Sequence, residues 1–105
     1  MKVFITDPAK KALKNICEYY SSVGAHSYVE NLRTEFIQKA HSLSKNYQRG
    51  QVENLLSSLN QGHRYIILIK HFKIIYLIEE SRIIITDFFD TRQDPDSLID
   101  RHQTF

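Results

Sequence analysis

The fold is decided by residues 64–90, which read RYIILIKHFKIIYLIEESRIIITDFFD. Three isoleucine-rich runs of strand length lie in this stretch, at residues 65–69, 72–78 and 82–89. The breaks between the runs are too short to hold the crossover helices that parallel strands require. We therefore predict that the three runs form an antiparallel meander.

The sequence before the meander begins with a strand and a helix. Residues 2–6 alternate between polar and apolar side chains, as a half-buried strand does. Asp7 then precedes Pro8, which predicts an aspartate N-cap with proline at the first helical position. We expect this helix to end near residues 22–24. Its apolar residues recur at three- and four-residue steps and mark one face: Ala9, Ala12, Leu13, Ile16, Cys17 and Tyr20.

A second long helix is expected directly after the first. Ser27 and Glu30 match a capping box, in which each side chain satisfies a free backbone N–H at the helix start. Apolar residues then keep helical spacing from Val29 to Tyr47. A connection over residues 23–26 should fold the two helices into an antiparallel hairpin.

The remaining segments complete an α+β fold of the order β-α-α-β-β-β. Residues 48–62 predict a loop with room for one short element, since their leucines sit among polar residues and glycine. Asp94 and Pro95 repeat the aspartate–proline helix start and predict a short C-terminal helix. The hairpin is expected to pack on a mainly antiparallel, twisted sheet. Residues 1–105 should form a single domain.

Composition narrows the class of protein. The chain has 105 residues, 42% hydrophobic and 25% charged, with a net charge of +2, so it reads as globular and only mildly basic. No secretory signal and no apolar run long enough to span a membrane is visible, and the single cysteine, Cys17, cannot form an internal disulfide. We expect a cytoplasmic protein that does not associate with membranes.

The three predicted strands carry apolar side chains at both odd and even positions, so both faces of their sheet are expected to be apolar. An antiparallel sheet usually has one polar face that is exposed to solvent. The helix hairpin can cover one face only. At about 25 cal/mol per Å2, leaving the second face in water would forgo several kcal/mol and favour aggregation. Either the chain itself covers that face, with residues 48–62 or the last helix, or a second polypeptide does.

The meander and the residues after it resemble the RelE/ParE toxins of bacterial toxin–antitoxin pairs. The second hairpin of that family often reads YR-I-x-Y-x-I-E, and its last strand often ends in H-x-R-R-D-P. The matching segments here are Arg64-Tyr65-Ile66-Ile67, Phe72-Lys73-Ile74-Ile75-Tyr76-Leu77-Ile78-Glu79 and Ile83-Ile84-Ile85-Thr86-Asp87-Phe88-Phe89-Asp90-Thr91-Arg92-Gln93-Asp94-Pro95. Asp90 and Gln93 depart from the pattern, because His and a second Arg are frequent there.

The resemblance implies a cognate antitoxin whose extended segment wraps the toxin and supplies the missing cover. It also implies a resting hetero-oligomer that reaches operator DNA only through the antitoxin. The side chains expected to contact the antitoxin are Ile67, Ile75, Tyr76 and Phe88. For Tyr76, a place in the core is the alternative.

Two toxic activities occur in the family that the chain resembles. Members that cleave mRNA on the ribosome use basic side chains and a proton donor without a metal. Lys73 and Arg92 match two positions of that set, but residues 65–69 carry no basic side chain and residues 96–105 no tyrosine, leaving His102 as proton donor. The gyrase-poisoning, ParE-like branch fits better. mRNA cleavage is the alternative, with Lys73 and Arg92 as catalytic candidates.

The residues expected to bind the target are Arg64, Lys73 and Arg92. Each has a simpler interpretation: Arg92 can pair with Asp90 or Asp94, and the other two can belong to a solvated strand edge that prevents aggregation. The five histidines show no metal-ligand spacing. No cofactor and no metal site is therefore expected.

Overall fold

A computed structural model describes residues 1–103 of the chain. Its strands are β1 (Lys2–Ile5), β2 (Gln51–Val52), β3 (Arg64–Leu68), β4 (Phe72–Glu79) and β5 (Arg82–Asp90). Its helices are α1 (Asp7–Ser22), α2 (His26–Ser42) and α3 (Pro95–Gln103). The expected domain, residues 1–105, extends past the described part and stays a prediction. Within residues 1–103, no helix has the length and apolar character needed to cross a bilayer.

The strands form one sheet in the order β1-β5-β4-β3-β2. β3, β4 and β5 pair antiparallel in sequence order, which confirms the predicted meander. β1 pairs with β5 in parallel, and β2 adds two residues antiparallel to β3. The register of β4 on β5 shifts between Ile75, which pairs with Asp87, and Tyr76, which pairs with Ile85, so Thr86 is an extra residue on β5. Ile75 and Tyr76 are both fully buried and point into different clusters, because successive strand residues face opposite sides of a sheet.

The prediction that Asp7 caps α1 was wrong by one residue. Thr6 is the N-cap, and its hydroxyl accepts a hydrogen bond from the Ala9 backbone N–H at 3.2 Å. The Thr6 hydroxyl also donates to the Ile85 carbonyl, which ties the helix start to β5. Asp7 lies in the first turn, where its charge is still favourable to the helix dipole.

The prediction of a capping box at Ser27 and Glu30 was also wrong, because α2 begins at His26 with Ala25 as N-cap and no side-chain cap. The end of α1 explains this. Gly24 adopts a φ of +86°, and the Ala25 N–H donates to the Tyr20 carbonyl at 3.0 Å, the pattern of a Schellman cap. Ala25 thus ends one helix and starts the next, which leaves no room for a later start.

The middle of the chain is more structured than predicted. α2 ends at Ser42 rather than near Tyr47, although Leu43 is still completely buried. Residues 48–62 contain β2 and a 3-10 helix at Asn54–Leu59, and a further 3-10 turn spans Tyr47–Arg49. The sequence allowed one short element within residues 48–62 but did not place any of these, because they are short and take their position from contacts with the sheet.

One face of the sheet packs against the helix hairpin. Its cluster includes Phe36 and Leu32 of α2, Leu13 and Ile16 of α1, and alternate residues of the meander. Phe36 makes edge-to-face ring contacts with Phe72 and Phe88, at centroid distances of 5.1 and 5.2 Å. The predicted packing of the hairpin on the sheet is confirmed.

The second face is covered by the chain itself. A separate cluster is formed by Leu56 of the 3-10 helix Asn54–Leu59, Ile75 and Phe89 of the sheet, and Leu98 of α3. The expected C-terminal helix begins after Asp94, whose Oδ1 accepts a hydrogen bond from the Asp96 N–H, so Asp94 does act as a cap. The chain therefore shields this face without a second polypeptide. Of the two alternatives that the sequence left open, cover by the chain itself is the correct one.

Truncation of Leu98 tests how much this second layer contributes. Leu98 is 0% exposed, so Leu98→Ala should lower the free energy of unfolding by about 2–5 kcal/mol through lost burial and a cavity. Ile67→Ala, at a position that is 41% exposed, is the matched control and should cost less than about 1 kcal/mol. Urea denaturation followed by circular dichroism measures both. Equal effects would show that α3 is not docked on the sheet.

Candidate functional site

Lys73 forms an ion pair below the second face of the sheet. Its Nζ lies 2.6 Å from Glu53 Oε2, and the Glu53 side chain is 2% exposed. The ammonium also lies 4.2 Å from the centroid of the Tyr65 ring. The Glu53 backbone holds the carboxylate in place, since its N–H donates to the His63 carbonyl. Lys73 is thus largely committed to contacts within the chain.

Arg64 and Tyr76 anchor the segment that leads into β2. Arg64 Nη1 donates to the Gly50 carbonyl at 3.0 Å, and the Gly50 N–H donates to the Tyr76 hydroxyl at 3.0 Å. The same hydroxyl donates to the Tyr47 carbonyl at 2.7 Å. A Cβ at position 50 would overlap the Tyr76 hydroxyl, so this close approach requires glycine. Tyr76 is therefore a core residue with a fully used hydroxyl.

Arg92 follows β5 and pairs with Asp90, as the simpler interpretation of the sequence had it. Its Nε and Nη2 donate to the two oxygens of the Asp90 carboxylate at 3.0 and 2.8 Å. Nη2 also donates to the Tyr20 hydroxyl on α1. The Arg92 side chain nevertheless remains 56% exposed. Among the three expected target-binding residues it is the most accessible.

The structure does not bring the two catalytic candidates together. Lys73 lies beside Tyr65, which packs on the second cluster, whereas Arg92 lies beside Tyr20, which packs on the first. The two basic groups are therefore on opposite faces of the sheet. Each is held by its own carboxylate, so no common position for a scissile phosphate lies between them.

The residues expected to contact an antitoxin are mostly inaccessible. Ile75 and Tyr76 are 0% exposed and Phe88 is 1% exposed, because both faces of the sheet are covered within the chain. In the chain alone these three are core residues, and their contact with an antitoxin stays a prediction. Ile67, on the outer strand β3 beyond the two-residue β2, keeps exposed surface.

A buried polar cluster under α3 was not predicted from the sequence. Arg101 Nη2 donates to Asp87 Oδ1, and the Asp87 side chain is 3% exposed. His102 lies 2.9 Å from the Thr86 hydroxyl through Nε2 and 2.8 Å from the Leu98 carbonyl through Nδ1. Asp87 and Thr86 read as strand residues among isoleucines, and nothing local indicates that α3 returns over them.

Both Thr86 and His102 line two cavities, one of about 490 Å3 beside α1 and one of about 410 Å3 beside His63. The His63 and His102 rings meet edge to face at 5.0 Å. Burial, together with the neighbouring His102, lowers the pKa of His63 to about 4. Burial raises the pKa of Asp87, and the Arg101 guanidinium opposes that rise.

Among residues 1–103, no group of three or more His, Cys, Asp and Glu side chains could hold a metal ion.

Comparison with known families assigns the chain. The family described as "ParE toxin of type II toxin-antitoxin system, parDE" matches residues 3–95, which spans the sheet, the hairpin and the start of α3. The chain belongs to the ParE toxin family. No curated protein sequence shows a significant match to it.

A solved structure shares the fold of this ParE toxin. It is titled "Chromosomal ParDE TA system from P. aeruginosa", and the superposition has a TM-score of 0.73 with 16% sequence identity. The match covers 86% of this chain and 95% of the other. At this identity the similarity concerns the fold alone.

Removal of the Lys73 ammonium should destabilise the toxin. Lys73→Met leaves the Glu53 carboxylate buried without its partner, which should cost about 3 kcal/mol of unfolding free energy. The double variant Lys73→Met with Glu53→Gln should be more stable than the single variant, because a neutral amide is cheaper to bury. Arg82→Met is the control: its ion pair with Glu79 is half exposed and should be worth less than about 1 kcal/mol. A Lys73 variant as stable as the wild type would contradict the buried pair.

The lowered pKa of His63 predicts acid sensitivity. The unfolded chain takes up a proton at this histidine near pH 6.5, whereas the folded chain does so only near pH 4. The contribution of neutral, buried His63 to the free energy of unfolding is thus fully present above pH 6.5. It is lost as the pH falls from 6.5 to about 4, which lowers the free energy of unfolding by at most about 3 kcal/mol. Unfolding free energies measured across this range should fall more steeply for the wild type than for His63→Gln. Parallel curves would rule out this role of His63.

Proposed function

We propose that this ParE toxin inhibits bacterial growth by binding and poisoning DNA gyrase, and that a cognate antitoxin neutralises it in a hetero-oligomer. The match of residues 3–95 to the ParE toxin family carries the proposal. In this proposal the complex reaches operator DNA only through the antitoxin, as the family resemblance implies. The net charge of the toxin, +2, gives it no strong attraction to DNA of its own.

The arrangement of basic groups favours a toxin that acts by binding over one that cleaves mRNA. Cleavage requires cations and a proton donor around one phosphate. Lys73 and Arg92 lie on opposite faces, each paired with a carboxylate, and His102 is a residue of α3 that is only 6% exposed. Inhibition by contact with a protein target requires no such constellation.

Of the four residues expected to contact the antitoxin, only Ile67 is exposed among the described residues, so the proposed contact lies on the surface around it. This side chain and Val52 are exposed at the outer edge of the sheet, where β2 covers only part of β3. An extended segment could continue the sheet at that edge. The buried residues Ile75, Tyr76 and Phe88 would take part only through the stability of the core.

Expression of the toxin alone in bacteria tests the proposal. We expect growth arrest with a DNA-damage response, and inhibition of supercoiling by purified gyrase when purified toxin is added, while translated mRNA stays intact. Co-expression of the antitoxin encoded beside it should restore growth. mRNA cleavage without an effect on gyrase would favour the alternative, with Arg92→Ala and Lys73→Ala as inactive variants. Normal growth would indicate a non-toxic binding module.

A further inference from the structure

We infer that the end of the helix hairpin carries the surface that docks on gyrase, and that Tyr19, Val23, Tyr28 and Arg92 form it. We call this surface the tyrosine patch. The inference rests on the proposed function, because it assigns the toxin's protein target to one set of residues. Of these four, only Arg92 was expected from the sequence to bind the target.

The tyrosine patch exposes large side chains that a folded protein usually covers. Tyr19 and Val23 are each 61% exposed and Tyr28 is 38% exposed. The Arg92 side chain is 56% exposed beside them. Tyrosine and arginine are the residue types over-represented among those that dominate binding energy in protein interfaces. An apolar area of this kind, combined with an accessible guanidinium, fits an interface better than a solvated surface.

The tyrosines of the patch are anchored in the core through Tyr20. The Tyr20 ring makes edge-to-face contacts with Tyr19 and Tyr28, at centroid distances of 5.2 and 5.4 Å. On its inner side Tyr20 contacts the fully buried Phe72 at 6.2 Å. Side chains that are already ordered lose little conformational entropy on binding. The exposed rings are therefore held ready for a partner.

Arg92 supplies the polar part of the surface. Asp90 and the Tyr20 hydroxyl hold its Nε and Nη2, which fixes the plane of the guanidinium. Within residues 1–103, Arg92 Nη1 donates no hydrogen bond to the protein. Two N–H groups thus stay available next to the tyrosine rings. They suit a partner that presents a carboxylate or a backbone carbonyl beside apolar side chains.

The charges around the patch favour a protein over a nucleic acid as its occupant. Asp90 balances the charge of Arg92. Burial raises the pKa of Tyr28, and the negative charges of Glu35 and Asp90 raise it further. These carboxylates offset the positive charge of Arg92, whereas nucleic-acid surfaces need a clear excess of positive charge. A folded protein meets no such obstacle.

Binding of purified toxin to purified gyrase, measured by calorimetry, tests the inference. Tyr19→Ala combined with Tyr28→Ala should weaken the affinity at least about tenfold, as expected for the loss of two strong interface residues. Tyr19→Phe combined with Tyr28→Phe keeps the rings and should retain most of the affinity. Phe4→Ala is the matched control, since Phe4 is a 47% exposed aromatic residue on the edge strand β1. It should bind gyrase as the wild type does.

The thermal unfolding midpoint of each variant and its affinity for the antitoxin are measured alongside gyrase binding. If the double alanine variant is unstable, Tyr19→Ala alone replaces it and should still weaken gyrase binding severalfold. Wild-type affinity in a folded alanine variant overturns the assignment of the patch and leaves the proposed function intact. An equal loss with Phe4→Ala, or a loss of antitoxin binding alone, also overturns it. A wild-type toxin that does not bind gyrase overturns both the assignment and the proposed function.

Discussion

The central strand β4 is buried on both of its faces, and the rest of the structure follows from the need to keep water from both. Ile74 packs toward the helix hairpin and Ile75 toward the second cluster, and both are completely buried. A strand of this kind requires a layer on each side, because exposed apolar area of that size would promote aggregation. The hairpin is one layer. The 3-10 helix Asn54–Leu59 and α3 together form the other.

This double cover determines what the charged residues can do. Without Glu53, the Lys73 ammonium would be an unpaired charge beneath the second layer. The Glu53 carboxylate neutralises it there. Asp87 is likewise buried and is paired with Arg101 from α3. Arg92, where β5 ends, differs from these two pairs, because its guanidinium pairs with Asp90 and still stays 56% exposed.

Under the proposed function, the residues that stabilise this ParE toxin are separate from those assigned to target binding. The buried ion pairs and α3 hold the sheet together, whereas Arg92 and the tyrosines beside it lie at one end of the hairpin. Substitutions at Lys73 and at Arg92 therefore act by different physical routes. The first removes the partner of a buried carboxylate, and the second alters a surface.

Part of the candidate site could be predicted from the sequence, and part could not. The pairing of Arg92 with Asp90 is local, so it could be foreseen as one of two options. The partner of Lys73 is twenty residues earlier in the chain, in a segment without periodicity, and could not. Tyr19 and Tyr28 read as helix residues, and only the hairpin brings them to Tyr20 and Arg92.

The sequence by itself determined the order of the elements, the antiparallel meander and the α+β class, because periodicity and short breaks are local properties of the chain. It also determined that both faces of the sheet must be covered. Only the tertiary structure decided what covers the second face, and hence which isoleucines are core and which are surface. That choice depends on the long-range docking of Leu56 and Leu98, whose weak local patterns do not specify where they pack.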